Sequence, residues 1–211
     1  MKGRIEKGVS FEDFKNVYKV FSGAPYFEKY TEEEYREIYD EYNNKGVIIG
    51  AYNENECIGI IAFEDGYKKE QGVDFKDKKV TYLADIAVLE KYRKFGLGTQ
   101  LMIYGILESK RAGYDMIYMR TLEEGKSMSY GIAKRVGFSQ IPNLFQTVTR
   151  ERMNGKVETL NNIFLQYDLE KMNKKELKEQ LDKALDLRVK SIEGGSFDGR
   201  GKRSIKELSE I

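Results

Sequence analysis

Val80-Thr81-Tyr82-Leu83-Ala84-Asp85-Ile86-Ala87-Val88-Leu89-Glu90-Lys91-Tyr92-Arg93-Lys94-Phe95-Gly96-Leu97-Gly98-Thr99-Gln100-Leu101-Met102 opens as an apolar, β-branched run and closes as an amphipathic one. The first part reads as a strand and the last as a helix, with a short basic turn between them. Such a turn opens a helix whose first backbone N–H groups have no intrahelical acceptor. Those groups and the positive end of the helix dipole suit a phosphate. Arg93 and Lys94 add charge, and an arginine fork grips phosphate oxygens in pairs. Gly96 and Gly98 lack a Cβ, so they are free to take positive φ and let an anion approach the backbone. The loop is not a P-loop, because no Gly-Lys-Ser/Thr follows. Nor is it a dinucleotide fingerprint, since Gln100 and Leu101 stand where a third glycine belongs. The plain alternative is a strand–turn–helix with a basic, solvent-facing loop.

Working outward, residues 10–21 carry Phe11, Phe14, Val17, Tyr18 and Phe21 at helical spacing. Ser22-Gly23-Ala24-Pro25 breaks that helix. Thr31 and Glu34 form a capping-box pair that starts a second helix, which ends around Asn43-Asn44-Lys45-Gly46. Val47-Ile48-Ile49-Gly50-Ala51-Tyr52 and Cys57-Ile58-Gly59-Ile60-Ile61-Ala62-Phe63 read as strands joined by the polar turn Asn53-Glu54-Asn55-Glu56. Residues 66–79 form a polar loop. After the central strand, a helix over about 97–112 closes at Gly113. A strand follows over 114–121, then a helix over about 126–136 capped by Gly137. Residues 144–150 and 160–169 read as a final antiparallel pair. From Lys171 to Lys190 the charge density rises, and Leu177, Leu181, Ala184 and Leu185 make one narrow apolar stripe. That helix either docks on its own domain or pairs with a second chain as a homodimer contact. Residues 193–201, with four glycines, read as a linker. The expected division is therefore a domain over 1–170 and a charged helix with a flexible tail over 171–211.

Composition excludes several classes. The 211 residues suit one well-filled core with an appendage. Charged residues make up 34% and the net charge is +1, so no bulk field points to nucleic acid or a membrane surface. No apolar run approaches the roughly 20 residues of a membrane span. The first residues lack the apolar core of a signal peptide, and the single cysteine forbids an internal disulfide. These features fit a cytoplasmic protein. There is no histidine. Serine–histidine and cysteine–histidine hydrolysis are therefore excluded, as are histidine-based zinc sites, and no metal is assigned. A general base must be a carboxylate, a tyrosine or a held water. Cys57, among isoleucines in mid-strand, reads as a small buried hydrophobe.

The segment Ile86-Ala87-Val88 followed by Arg93-Lys94-Phe95-Gly96-Leu97-Gly98 resembles the acetyl-CoA-binding motif of the GNAT superfamily of N-acetyltransferases: an apolar strand, R/Q-x-x-G-x-G/A, then a helix. The resemblance continues in the strand-like Met116-Ile117-Tyr118-Met119-Arg120 and in Arg135-Val136-Gly137-Phe138, similar to the family's G-F after its fourth helix. It spans about residues 5–170. It implies an α/β (α+β) fold, a mixed and mostly antiparallel central sheet flanked by helices, here with a C-terminal helical extension. It also implies acetyl-CoA as cofactor and a small-molecule or peptide amine as acceptor.

Carried over by resemblance, Ile86, Ala87 and Val88 line the pantetheine arm, with a backbone amide near Ala87 polarising the acetyl carbonyl. Arg93, Lys94, Phe95, Gly96, Leu97, Gly98 and Thr99 hold the pyrophosphate. The family's tyrosine acid, four residues before the glycine of G-F, is replaced here by Ala133. Tyr130 lies one turn earlier on nearly the same face and takes that role in this reading. Lys126 stands where the family carries asparagine, with Ser127 and Ser129 beside it. For the base, Asp85 is the first candidate, because a carboxylate inside an apolar strand is costly unless paired or wet. Glu28, in the loop before the second helix, is the second. That loop and helix carry Tyr26, Tyr30, Tyr35, Tyr39, Glu32, Glu33 and Glu34, which read either as a solvated acidic face with its tyrosines packed inward or as an acceptor wall suited to a cationic amine. The rival reading is a catalytically degenerate acyl-CoA-binding module, motivated by Ala133 and the appended helix.

Overall fold

In the computed structural model, residues 3–22, 29–66, 72–123, 127–151, 153 and 155–192 are described, with side chains in the last helix described to residue 186. The chain order is β1 (Gly3–Lys7), α1 (Phe11–Tyr18), α2 (Glu32–Lys45), β2 (Gly46–Asn53), β3 (Glu56–Asp65), β4 (Val80–Val88), α3 (Leu97–Arg111), β5 (Met116–Leu122), α4 (Met128–Arg135), β6 (Ser139–Glu151), β7 (Val157–Asp168) and α5 (Lys174–Ile192). Single 3₁₀ turns follow α1 at Lys19–Phe21 and β4 at Glu90–Tyr92. The helix expected over residues 10–21 therefore tightens in its last turn.

The seven strands lie in the order β1-β2-β3-β4-β5-β7-β6, and every pairing is antiparallel except β4 with β5. The mixed sheet is the one expected. β1 adds an edge strand that hydrophobic alternation does not announce.

The pleat sends alternate residues to opposite faces. On β3, Ile61 and Phe63 join the core beneath α3, α4 and α5, whereas Ile60 and Ala62 join the core beneath α1 and α2. Val73 and Phe75, in the loop read as polar, pack in a third cluster with Tyr82 and Tyr118.

The starts of α1 and α2 have a local cause. Ser10 accepts from the Asp13 N–H, and Thr31 and Glu34 make the reciprocal capping box. Gly137 adopts φ +103° just beyond α4. The apolar stripe of α5 is packed against its own chain: Leu177 and Leu181 are buried in the core that includes α3, and Ala184 is buried beside Gly96. The tail beyond residue 192 lies outside the described residues.

The central feature is a split in the sheet. β4 pairs with β5 only from Val80↔Met116 to Leu83↔Met119, while its pairing with β3 continues to Val88↔Gly59. A bulge sits at the divergence: Leu83 faces Phe63 and Asp85 faces Ala62, leaving Ala84 without a partner on β3. Beyond Leu83, no strand among the described residues pairs with that edge of β4.

Candidate active site

Register decides what the open edge offers. The Leu89 N–H donates to the Ile58 carbonyl at 3.0 Å. Antiparallel alternation then makes Ala87 and Ile60 a hydrogen-bonded pair. The N–H and C=O groups of Ile86 and Val88 consequently turn to the open edge, while those of Ala87 are spent on β3. An amide near Ala87 that faces the open edge is therefore that of Ile86 or Val88, not of Ala87 itself. The Val88 carbonyl is already used: Arg93 Nε donates to it at 2.9 Å. Arg93 thus folds the basic turn back onto its own strand through one edge of its guanidinium.

The turn then winds through two left-handed residues, Lys94 (φ +70°) and Gly96 (φ +76°). The first is a strained position for a lysine. Gly96 caps α3 without a side-chain hydrogen bond, and no acidic residue occupies the first turn. In contrast, α1, α2 and α4 each receive a side-chain oxygen at their N-cap. The first N–H groups of α3 therefore keep their capacity for an external anion, which fits a phosphate-bearing cofactor. Phe95 beside them is exposed.

The two glycines have different duties. Gly96 needs positive φ, and a Cβ on it would also stand 2.8 Å from Ala184 Cα of α5. Gly98 is helical, not left-handed. A Cβ there would lie 2.8 Å from Ile132 Cδ1, so its bareness admits α4. Leu97 and Thr99, placed at the pyrophosphate by resemblance, are buried in the first turn of α3.

On the opposite face, Asp85 enters the layer of α1 and α2. Tyr18 Oη donates to Asp85 Oδ2 at 2.8 Å, and Tyr42 Oη donates to the same oxygen. Burial pushes the Asp85 carboxyl above the usual aspartate range. The two hydroxyls oppose that rise, Glu64 adds to it and Arg120 works against it. Burial and the adjacent Asp85 charge raise both tyrosines well above the ordinary phenol range. Neither tyrosine was singled out from the sequence, because both occupy apolar positions of helical patterns. The available signal was a tyrosine where phenylalanine would pack as well, since a buried hydroxyl needs a partner.

The remaining candidates separate. Tyr130 is partly buried and packs against the core under α4, and Ala133 is fully buried there. Ser129 shares hydrogen bonds with Ser127 at 2.6 Å and with Thr121 of β5 at 2.8 Å, tying the start of α4 to the sheet. Glu28, Tyr26 and Lys126 lie outside the described residues. Much of the expected acceptor wall has structural work. Glu34 completes the capping box, Glu32 pairs with Lys15 at 2.8 Å, and Tyr39 donates to the Val9 carbonyl. Tyr30 is ringed by Tyr18 and Tyr35. Cys57 is buried, and desolvation raises its thiol to about 12, so no thiolate nucleophile is present at neutral pH.

The sequence model described as "Acetyltransferase (GNAT) family" matches residues 14–138. Solved structures share the fold. An N-acetyltransferase from Staphylococcus aureus Mu50 superposes with TM-score 0.59 at 16% identity, covering 80% of this chain and 99% of that one. A Bacillus subtilis acetyltransferase in complex with CoA gives 0.54 at 20% identity, over 79% of this chain and 99% of that one. The ribosomal-protein-S18-alanine N-acetyltransferase from Escherichia coli gives 0.58 at 11% identity, over 80% and 94%. No curated protein matches the sequence. The family model covers more than half of the chain and defines its class as acetyltransferase. The chain belongs to the GNAT family of acetyltransferases.

Proposed function

We propose that this enzyme moves the acetyl group of acetyl-CoA to a primary amine, on a small cationic molecule or a peptide, by direct attack in a ternary complex. The carrying observation is the split after Leu83, which leads along the open edge of β4 to the uncapped start of α3. Acetyl-CoA supplies a thioester whose carbonyl carbon the amine attacks as the carbon–sulfur bond breaks. The N–H groups of Ile86 and Val88 stand on the open edge to orient the pantetheine arm and polarise the acetyl oxygen. Arg93, Lys94, Phe95, Gly96, Leu97, Gly98 and Thr99 form the pyrophosphate loop, where backbone N–H groups and the helix dipole offset the charge. Asp85 accepts the proton that the ammonium must lose before attack. A carboxyl raised by burial is closer to neutral pH and so better matched to an amine than an ordinary aspartate. Tyr130, on the first turn of α4, is assigned to return a proton to the leaving sulfur, and Glu28 remains the alternative base. No acyl-enzyme is involved, since Cys57 is buried and protonated.

A carboxylate at Asp85 supports a cationic acceptor rather than an anionic one. Composition supports a cytoplasmic setting, with balanced charge and one free cysteine. Among the described residues no helix is long and apolar enough to cross a membrane. The test is Asp85→Asn. With saturating acetyl-CoA, kcat/KM for the best acceptor amine should fall roughly 10²- to 10⁴-fold, with acetyl-CoA affinity retained. Unchanged turnover would remove Asp85 as the base.

A further inference from the structure

We infer that Tyr18 and Tyr42 are positioning residues that hold Asp85 as an aimed carboxylate by jointly saturating its Oδ2 and reserving Oδ1 for the acceptor amine. This rests on the reading of Asp85 as the base. Both phenols donate to one oxygen, and among the described residues Oδ1 receives no hydrogen bond. The two donors come from separate elements, α1 and α2, and converge on the bulged part of β4. One oxygen thus carries both helix contacts.

The tyrosines are themselves fixed. Tyr18 stacks on Phe14 with ring centroids 4.8 Å apart and meets Tyr35 edge-on, while Tyr42 meets Phe14 edge-on. Both rings are thus packed into the core under α1 and α2 from which their hydroxyls reach Asp85. The charged groups acting on Asp85 complete the picture: Glu64 from β3 disfavours its ionisation and Arg120 from β5 favours it. The hydroxyls are the neutral donors that shift this balance toward the carboxylate. They do so without adding a cation that would repel an ammonium substrate.

The experiment uses the full-length chain and the isosteric variants Tyr18→Phe and Tyr42→Phe. Aspartate Cγ is labelled with carbon-13 and titrated by NMR, with the Asp85 signal identified by its loss in Asp85→Asn. Each variant should move the Asp85 midpoint upward by roughly one pH unit. The acidic limb of kcat/KM for the best acceptor amine should move with it. Activity at neutral pH then falls several-fold and recovers at higher pH. A midpoint unmoved in both variants overturns the inference. Asp85→Asn losing turnover while the tyrosine variants leave the midpoint in place would defeat the positioning role alone. Shifted midpoints with full turnover in Asp85→Asn would defeat the base and, with it, the catalytic sense of the positioning.

Discussion

Asp85 sits where three opposing influences meet. Removal from water favours its neutral form, whereas the hydroxyls of Tyr18 and Tyr42 and the field of Arg120 favour the anion. Burial wins, so the folded carboxyl titrates above the unfolded one. The native state then holds its proton to higher pH than the unfolded chain. Its contribution to stability is complete below the ordinary aspartate range and is lost as pH rises through the raised folded value. Asparagine keeps an oxygen for the tyrosines and has no charge to desolvate. Asp85→Asn should therefore gain thermal stability relative to wild type as pH rises from about 4 toward neutrality, measured by melting curves across pH. A constant difference would mean that the carboxyl is solvated.

The element that organises the molecule is β4 with its loop and α3. Its reading from sequence was nearly complete, because each part has a local cause. β-branched residues make the strand, the basic turn contains Gly96, and an amphipathic run follows. What was not legible is tertiary. Tyr18 and Tyr42 lie 67 and 43 residues from Asp85, and helical spacing marks them only as core. Gly98 looks like a loop glycine but serves the packing of Ile132, a contact that no local pattern contains. β1 has one apolar side chain, Ile5, in Gly3-Arg4-Ile5-Glu6-Lys7, and pairing with β2 alone makes it a strand. The contact of α5 with the loop is equally non-local. Gly96→Ala would meet both the left-handed backbone and Ala184, so it should cost about 1–3 kcal/mol and weaken CoA binding. Urea midpoints and calorimetric titration with CoA would check the two effects. Full stability and affinity in that variant would deny both duties of Gly96.

At the scale of the whole molecule, the absence of histidine and the burial of the single cysteine remove the usual nucleophiles and bases. In the proposed mechanism the split sheet instead supplies position and backbone polarity, and oriented reactants gain large effective molarity from position alone. The thin stripe of α5 brings a charged helix onto the loop at Gly96, from outside the segment matched by the family. The most direct measurement is release of free CoA thiol from acetyl-CoA by the purified enzyme, across a panel of polyamines, aminoglycosides and peptides with free N-terminal or lysine amines. The account predicts amine-dependent release that saturates in both substrates and yields an N-acetylated product by mass spectrometry. Tight CoA binding with no amine-dependent release across the panel would contradict it, and would leave a protein that binds acyl-CoA without turning it over.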